Sequence, residues 1–415
     1  MSERGTFKSL FVLMAIVFVD MIGFLMVLPL LPFYAEHLGG SAVVVGELVS
    51  AFALAQLLTA PLWGRLSDRY GRRPMLLVGL AASAIAYILF GLANALWVLF
   101  LSRLVQGAGG GTTSVVQAYV SDTVPPRERA KALGWISAAT SAGVMIGPAI
   151  ASLSTSMSAS APGFIAAGLC LANLTGAAIW LPEPAAERKR ATRVAERSRE
   201  PGALRREMAH VLRHPFDRVS SLIWIYTAGM MAFMAMNGVL ALFLERRYGV
   251  SEHTIGWFFV YVGAISVVMR SLVIGPTVKK LGEVRTLKLG ALALAIGIAA
   301  VPLPHHLLGL ALAVLLVPVG TALLFPSTTS LVTSRGPQHA TGRILGVQQT
   351  FGGVARLLGP VWAGVLFEHV GIAWPFWVAG GLVLLMRFFA RVVKPESDDF
   401  EEPATEASGE AAANL

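Results

Sequence analysis

Residues 64–79 read GRLSDRYGRRPMLLVG and residues 275–290 read GPTVKKLGEVRTLKLG. Glycines stand at the same three places, Gly64, Gly71 and Gly79 against Gly275, Gly282 and Gly290, with an offset of 211 at each. Gly147-Pro148 and Gly359-Pro360 repeat at an offset of 212. Each pair holds the same place in its own half, so the chain reads as one large unit used twice. Both quoted stretches are basic islands between apolar runs. No Asp, Glu, Lys or Arg occurs from Pro74 to Ser102, from Ala132 to Pro182, from Val219 to Leu244, or from Leu289 to Ser334. Crossing the hydrocarbon of a bilayer takes about 20 apolar residues, so two of these runs hold a pair of helices.

Composition agrees. Of 415 residues, 55% are hydrophobic and 14% charged, with a mean hydropathy of +0.67. Soluble domains carry about 25% charged residues, so a water-soluble fold of this size is excluded. The expectation is an all-α membrane protein with twelve transmembrane helices. They are placed at 8–34, 44–63, 74–93, 95–119, 131–153, 161–181, 219–244, 253–276, 285–303, 306–331, 343–366 and 371–392. Two six-helix bundles, 1–181 and 219–392, are then related by a pseudo-twofold axis, with a cytoplasmic linker at 182–218 and an acidic disordered tail at 393–415. A parallel six-plus-six repeat is the plan of one large transporter fold.

The net charge is +9. The basic residues lie between apolar runs, which points to membrane topology and not to nucleic acid. Of 33 Lys and Arg, Arg103, Arg270 and Arg356 fall inside spans and Arg246 and Arg247 follow the seventh. The other 28 fall at the N-terminus, in the even-numbered loops, or around the end of the last helix. Lys and Arg stay on the cytoplasmic side, so both termini are expected there, in a bacterial inner membrane. The linker carries ten basic residues against six acids and would lie on anionic lipid. Cys170 is the sole cysteine, so no disulfide framework and no thiolate metal site is expected. Walker, Rossmann, zinc and nucleophile-elbow patterns are absent, which leaves an ion gradient as the energy source and no cofactor or metal.

Four stretches carry a family resemblance. They are Asp20-Met-Ile-Gly23 leading to Pro29 and Pro32, Gly64-Arg-Leu-Ser-Asp68-Arg-Tyr-Gly71-Arg72-Arg73, Leu101-Ser-Arg103-Leu-Val-Gln106-Gly107, and Gly143-Val-Met-Ile-Gly147-Pro148. In this order they resemble the major facilitator superfamily, and the first half resembles its twelve-helix drug/proton antiporters, tetracycline efflux pumps included. The second half departs from the pattern: Lys279 stands where Asp68 stands in the first.

The resemblance implies roles. Gly64 and Gly71 would allow a tight turn and a close helix approach. Asp68 would face the positive N-terminal end of helix eleven as a cytoplasmic gate when the pump faces outward, with Arg72 paired to Asp122 and Arg73 in the same loop. The plainer alternative is that the arginines only anchor topology. Gly143, Gly147 and Pro148 would pack helix five against helix eight, the motif associated with antiporters.

Asp20 lies twelve residues past Lys8, well inside the bilayer at 1.5 Å per residue. A charge there costs about 2.5–3.5 kcal/mol, so an acid at that depth is a functional candidate. It would take a proton from one side and release it to the other; alternatively it stays neutral and packs helices one and five. Arg103 cannot release its proton. It would couple by approaching or leaving an acid, or lock helices one and four as a fixed pair. Arg356, thirteen residues past Arg343, would bind an anionic group or pair with Asp20; Arg270 would snorkel to the surface. Gln56, Gln106, Asn237, Gln348 and Gln349 are candidate cavity residues, or interhelical glue. Phe233, Trp257, Phe258, Phe259, Phe325 and Phe351 suit an apolar substrate or lipid.

The leading expectation is a non-enzymatic, proton-coupled exporter of small apolar or cationic compounds, acting as a monomer. Transport of a specific, anionic metabolite in either direction is the alternative. A transport-inactive receptor on the same fold fits less well with Asp20 and Arg103 present.

Overall fold

The computed structural model describes residues 3–184, 202–336, 340–386 and 389. Residues 185–201 of the expected linker, most of the chain beyond Met386 and the whole expected acidic tail lie outside the described residues. Among the described residues, all regular structure is helical. Helices α1 (Glu3–Val27) and α2 (Leu31–His37) form span one. Spans two and three are α3 (Ala42–Tyr70) and α4 (Arg72–Gly91), and span four is α5 (Leu96–Gly109) with α6 (Thr112–Thr123). Spans five and six are α7 (Pro126–Thr155) and α8 (Ala161–Trp180), and α9 (Ala203–Arg213) precedes the second half. Span seven is α10 (Arg218–Tyr248). Span eight begins as α11 (Ile255–Val268), passes through a π-turn at Met269–Val273, and enters α12 (Ile274–Ala300). At Gly282 α12 turns sharply and becomes span nine. Spans ten to twelve are α13 (Leu307–Arg335), α14 (Thr341–His369) and α15 (Trp374–Leu385).

Four spans differ most from the hydropathy reading. Span one breaks at Leu28–Leu30, where Pro29 has no N–H to give. Span four breaks at Gly110-Gly111. Spans two and five run past the apolar stretches, because water outside the hydrocarbon tolerates helical Arg65–Arg69 and Arg127–Lys131.

The repeat is visible in the backbone. Gly71 has φ of 110° and Gly282 φ of 75°, so both halves turn from one span to the next on the same glycine. Gly39 and Gly249, with φ of 79° and 67°, pair at an offset of 210, as do Gly46 and Gly256; from Gly64 to Gly79, paired with Gly275 to Gly290, the offset is 211. One residue is therefore gained between Gly256 and Gly275. The π-turn lies in that interval, and a turn bonded i to i+5 takes up an extra residue within a continuous helix.

The halves touch at one end. The backbone of Gly46 lies against the Pro360 carbonyl, and Gly256 lies against the Pro148 carbonyl, the same contact made twice by the repeat. Ser50 Oγ donates to the Leu357 carbonyl at 2.6 Å, and Gly256 N–H donates to Ser152 Oγ at 2.8 Å. Spans two and eleven stay together as far as Leu57 and Gly353. Toward the end that bears the basic loops they separate. Gly342 has no side chain or foreign backbone within 4 Å, Gly346 meets only Leu204 of α9, and Leu58, Leu62 and Leu66 are exposed. Spans five and eight part likewise: Gly134 and Gly275 face open space.

Candidate functional site

The loop after span two is held by carboxylates. Gly71 turns the chain, and the first amides of α4 then point outward without partners of their own. Glu183, just past span six, accepts from the backbone N–H of Arg72 and of Arg73, each at 2.9 Å. A negative charge at a helix N-terminus is favourable, and a Cβ on Gly71 would run into that carboxylate. Arg72 bridges Asp68 and Asp122, at 2.8 Å to each, and donates to Ser67 Oγ at 2.6 Å. Arg73 donates to the Ala178 carbonyl. With the halves apart at this end, Asp68 pairs with Arg72; its expected reach to the start of span eleven belongs to the state in which this end is shut. The close approach expected at Gly64 is also absent, since a Cβ there meets nothing within 4 Å. In the second half Glu283, at the place of Arg72, accepts from Ser330 Oγ at 2.5 Å. The brace is kept there with the charge reversed.

Between the halves lies a cavity of about 350 Å³. Its charged lining is Asp20, Arg103 and Arg356, and its polar lining includes Gln56, Ser83, Gln106, Thr113 and Asn237. The rest is mainly apolar, with Phe24 and Phe52 ring to ring at 5.1 Å. Asp20 Oδ2 accepts from Thr112 Oγ1 at 3.0 Å, and the Ser83 hydroxyl also bonds to the carboxyl. Arg103 is 2% exposed; it donates to Ser102 Oγ at 3.1 Å and lies over the Phe90 ring at 5.7 Å. Among the described residues no carboxylate lies within 4.0 Å of it, and its Nε has no partner. The fixed ion pair between spans one and four is therefore not made. Gln106 Nε2 donates to Tyr87 Oη at 2.6 Å, Gln56 Nε2 to the Gly110 carbonyl at 3.3 Å, and Asn237 Nδ2 to the Phe233 carbonyl at 2.8 Å. Arg356, half-buried beside Tyr226, has no carboxylate within 4.0 Å among the described residues, so Asp20 is not its ion-pair partner.

Other expectations need correcting. Gln348 is fully buried and donates to Thr329 Oγ1 at 3.4 Å, bonding spans ten and eleven outside the cavity. Gln349 bonds to Tyr226 and does not line the cavity either. Phe233, Trp257, Phe258, Phe259, Phe325 and Phe351 are not in its wall; Phe24 and Phe52 are. Gly143 and Gly147 pack against the Phe18 and Ile22 carbonyls of span one, not against span eight. Pro148 and Ser152 make the contact with span eight. Arg270, expected to reach the surface, is exposed on the π-turn.

The closed end carries a seal that the motifs did not reveal. Arg246 Nη2 donates to Glu36 Oε1 at 3.1 Å, and Glu368 Oε2 accepts from the Ala42 N–H at 3.0 Å. Both bonds cross between the halves. A sequence signal existed for one: Arg246 broke the charge asymmetry of the loops.

The profile of the Major Facilitator Superfamily matches residues 13–360. Multidrug resistance protein 2 of Bacillus subtilis (strain 168) is 28% identical over 397 residues, covering 94% of this chain and 97% of its own. Tetracycline resistance protein, class B, of Escherichia coli is 27% identical over 370 residues, covering 88% and 90%. Among solved structures, a bacterial homolog of the human lysosomal transporter Spinster superposes with a TM-score of 0.78 over 97% of this chain and 100% of its own, at 14% identity. The human organic anion transporter MFSD10 does so at 0.68, with 24% identity over 93% and 99%. With a match across most of its length, and a duplicated twelve-span body closed at one end, the chain belongs to the Major Facilitator Superfamily and is a transport protein, not an enzyme.

Proposed function

We propose that the chain exports small, largely apolar compounds across the bacterial inner membrane in exchange for protons, by alternating access. The observation that carries this reading is Asp20, among the described residues the one carboxyl in the lining of a mainly apolar cavity between the halves. Such an acid is costly to keep in a membrane without a use. The named functions of the curated relatives, multidrug and tetracycline resistance, support export. On the expected orientation the basic end is cytoplasmic and the structure is the inward-open state. Phe24, Phe52 and Met234 offer apolar contact to a substrate, and Gln56, Gln106 and Asn237 offer polar anchors. Arg103 biases Asp20 as the cavity changes shape.

The second reading rests on Arg356. A guanidinium in the membrane with no carboxylate within 4.0 Å among the described residues suits a substrate that brings its own anion.

Proteoliposomes loaded with a pH-sensitive dye, exposed to a panel of neutral, cationic and anionic amphiphiles, separate the readings. Substrate-driven proton movement is expected with apolar compounds and is expected to vanish in Asp20→Asn. Normal proton movement in Asp20→Asn would rule Asp20 out as the carrier, and a response to anions alone would favour the second reading.

A further inference from the structure

Span four is broken, and the break faces Asp20. The glycines Gly109, Gly110 and Gly111 end α5, and α6 restarts at Thr112. Thr112 is the first residue of α6, is 1% exposed, and bonds to Asp20. Its position is fixed from behind. A Cβ on Gly79 of span three would meet Thr112 Cγ2 at 2.5 Å, so the last glycine of the repeated loop stretch makes the room that Thr112 occupies.

The repeat supplies an internal control. Gly290, the counterpart of Gly79, packs against Leu323, the counterpart of Thr112. Leu294 stands for Ser83, Val314 for Arg103, Val317 for Gln106, and, at the offset of 210, Met230 for Asp20. The same glycine-to-span contact thus folds with apolar side chains alone. The polar set of the first half is surplus to packing, and it converges on one carboxyl.

We infer that Thr112 is a positioning residue for the proton on Asp20: its hydroxyl, presented by the break in span four, holds the ionised carboxylate and sets the pH at which it gives up and takes its proton. This inference rests on Asp20 being the proton carrier. Besides Thr112, Asp20 is faced by Ser83 and Tyr87 of span three, Arg103 of span four and Cys170 of span six, with Arg356 on the wall of the same cavity. A hydrogen bond to the charged form of an acid favours that form. Losing one donor to a charged group corresponds to about a tenfold change in proton affinity, or one pH unit.

The test is an infrared pH titration of the protonated-carboxyl band in the full chain in lipid, alongside the pH profile of transport. The band is assigned by its disappearance in Asp20→Asn. Thr112→Val is expected to move both midpoints about one unit higher, Thr112→Ser to restore them, and Ser83→Ala to move them the same way by less. An unchanged or lowered midpoint in Thr112→Val overturns the role of Thr112 alone. A band that survives in Asp20→Asn overturns the proton-carrier reading and the inference with it. Should Thr112→Val not fold, Thr112→Ala, which also removes the hydroxyl, carries the test: a midpoint that stays put in that variant overturns the role of Thr112.

Discussion

Gly71 shows how much one residue carries. Its φ of 110° lies where only glycine is at ease, and the Glu183 carboxylate fills the space a Cβ would need. Holding another residue in such a backbone costs on the order of 1–3 kcal/mol. Gly71→Ala is therefore expected to lower the unfolding temperature measurably and, by loosening the Arg72 brace, to slow transport. An unchanged melting curve in detergent would show that the turn relaxes freely. The sequence marked Gly71 through its repeat at Gly282. It did not mark Glu183, because a carboxylate 112 residues away reveals nothing about proximity until the spans are packed. Asp20 was legible for the opposite reason: depth in a bilayer is a one-dimensional property, countable from Lys8.

At the scale of elements, two contacts matter because the duplication makes them twice. Gly46 against Pro360 joins spans two and eleven, and Gly256 against Pro148 joins spans eight and five. Each lets two helices meet backbone to backbone between the halves. Gly256→Val places two methyl groups where the Pro148 carbonyl lies. Overpacking of this kind costs about 1–3 kcal/mol, which shifts a balanced equilibrium roughly fivefold to a hundredfold at 1.4 kcal/mol per decade. The variant should fold but populate the state opened at that end, and spin labels placed beyond Gly39 and Gly249 should move apart. Unaltered distances would mean the contact is incidental. The sequence showed Gly147-Pro148 and its copy, yet assigned Gly143 and Gly147 to the wrong neighbour. Small residues announce a close approach without naming the partner.

For the whole molecule, closure at one end and opening at the other are alternatives held in balance by few bonds. The Arg246–Glu36 pair lies on the closed end and is partly exposed, so it contributes at most about 1 kcal/mol. Glu36→Gln should weaken the closed end by up to about fivefold in population. Asp68→Asn is expected to act the other way. It removes the charge proposed to meet the start of span eleven once the basic end shuts, a contact of about 0.3–1 kcal/mol, up to 2 when partly buried. Distances between spans two and eleven at the basic end, measured by double electron–electron resonance, should lengthen in Asp68→Asn and shorten in Glu36→Gln. The same shift from both substitutions would contradict the balance described.

By itself the sequence determined the solvent, the number of crossings, the duplication and the place of Asp20, Arg103 and Arg356 along their spans. Those follow from hydropathy and spacing, which are sums along the chain. The Arg72–Asp122 pair was implied by the loop motif and is present, but tertiary structure decided which of the charges inside the spans meet. Arg103 was expected to find an acid and rests instead on Ser102 and Phe90; Arg356 shares a cavity with Asp20 without pairing to it. It also decided that Gln348 bonds two spans while Phe24 and Phe52 line the cavity. The physical reason is rotational. A helix of uniform apolarity has no sided pattern to say which face turns inward, so the azimuth of each span, and with it every pairing, is fixed by glycines, breaks and packing between helices.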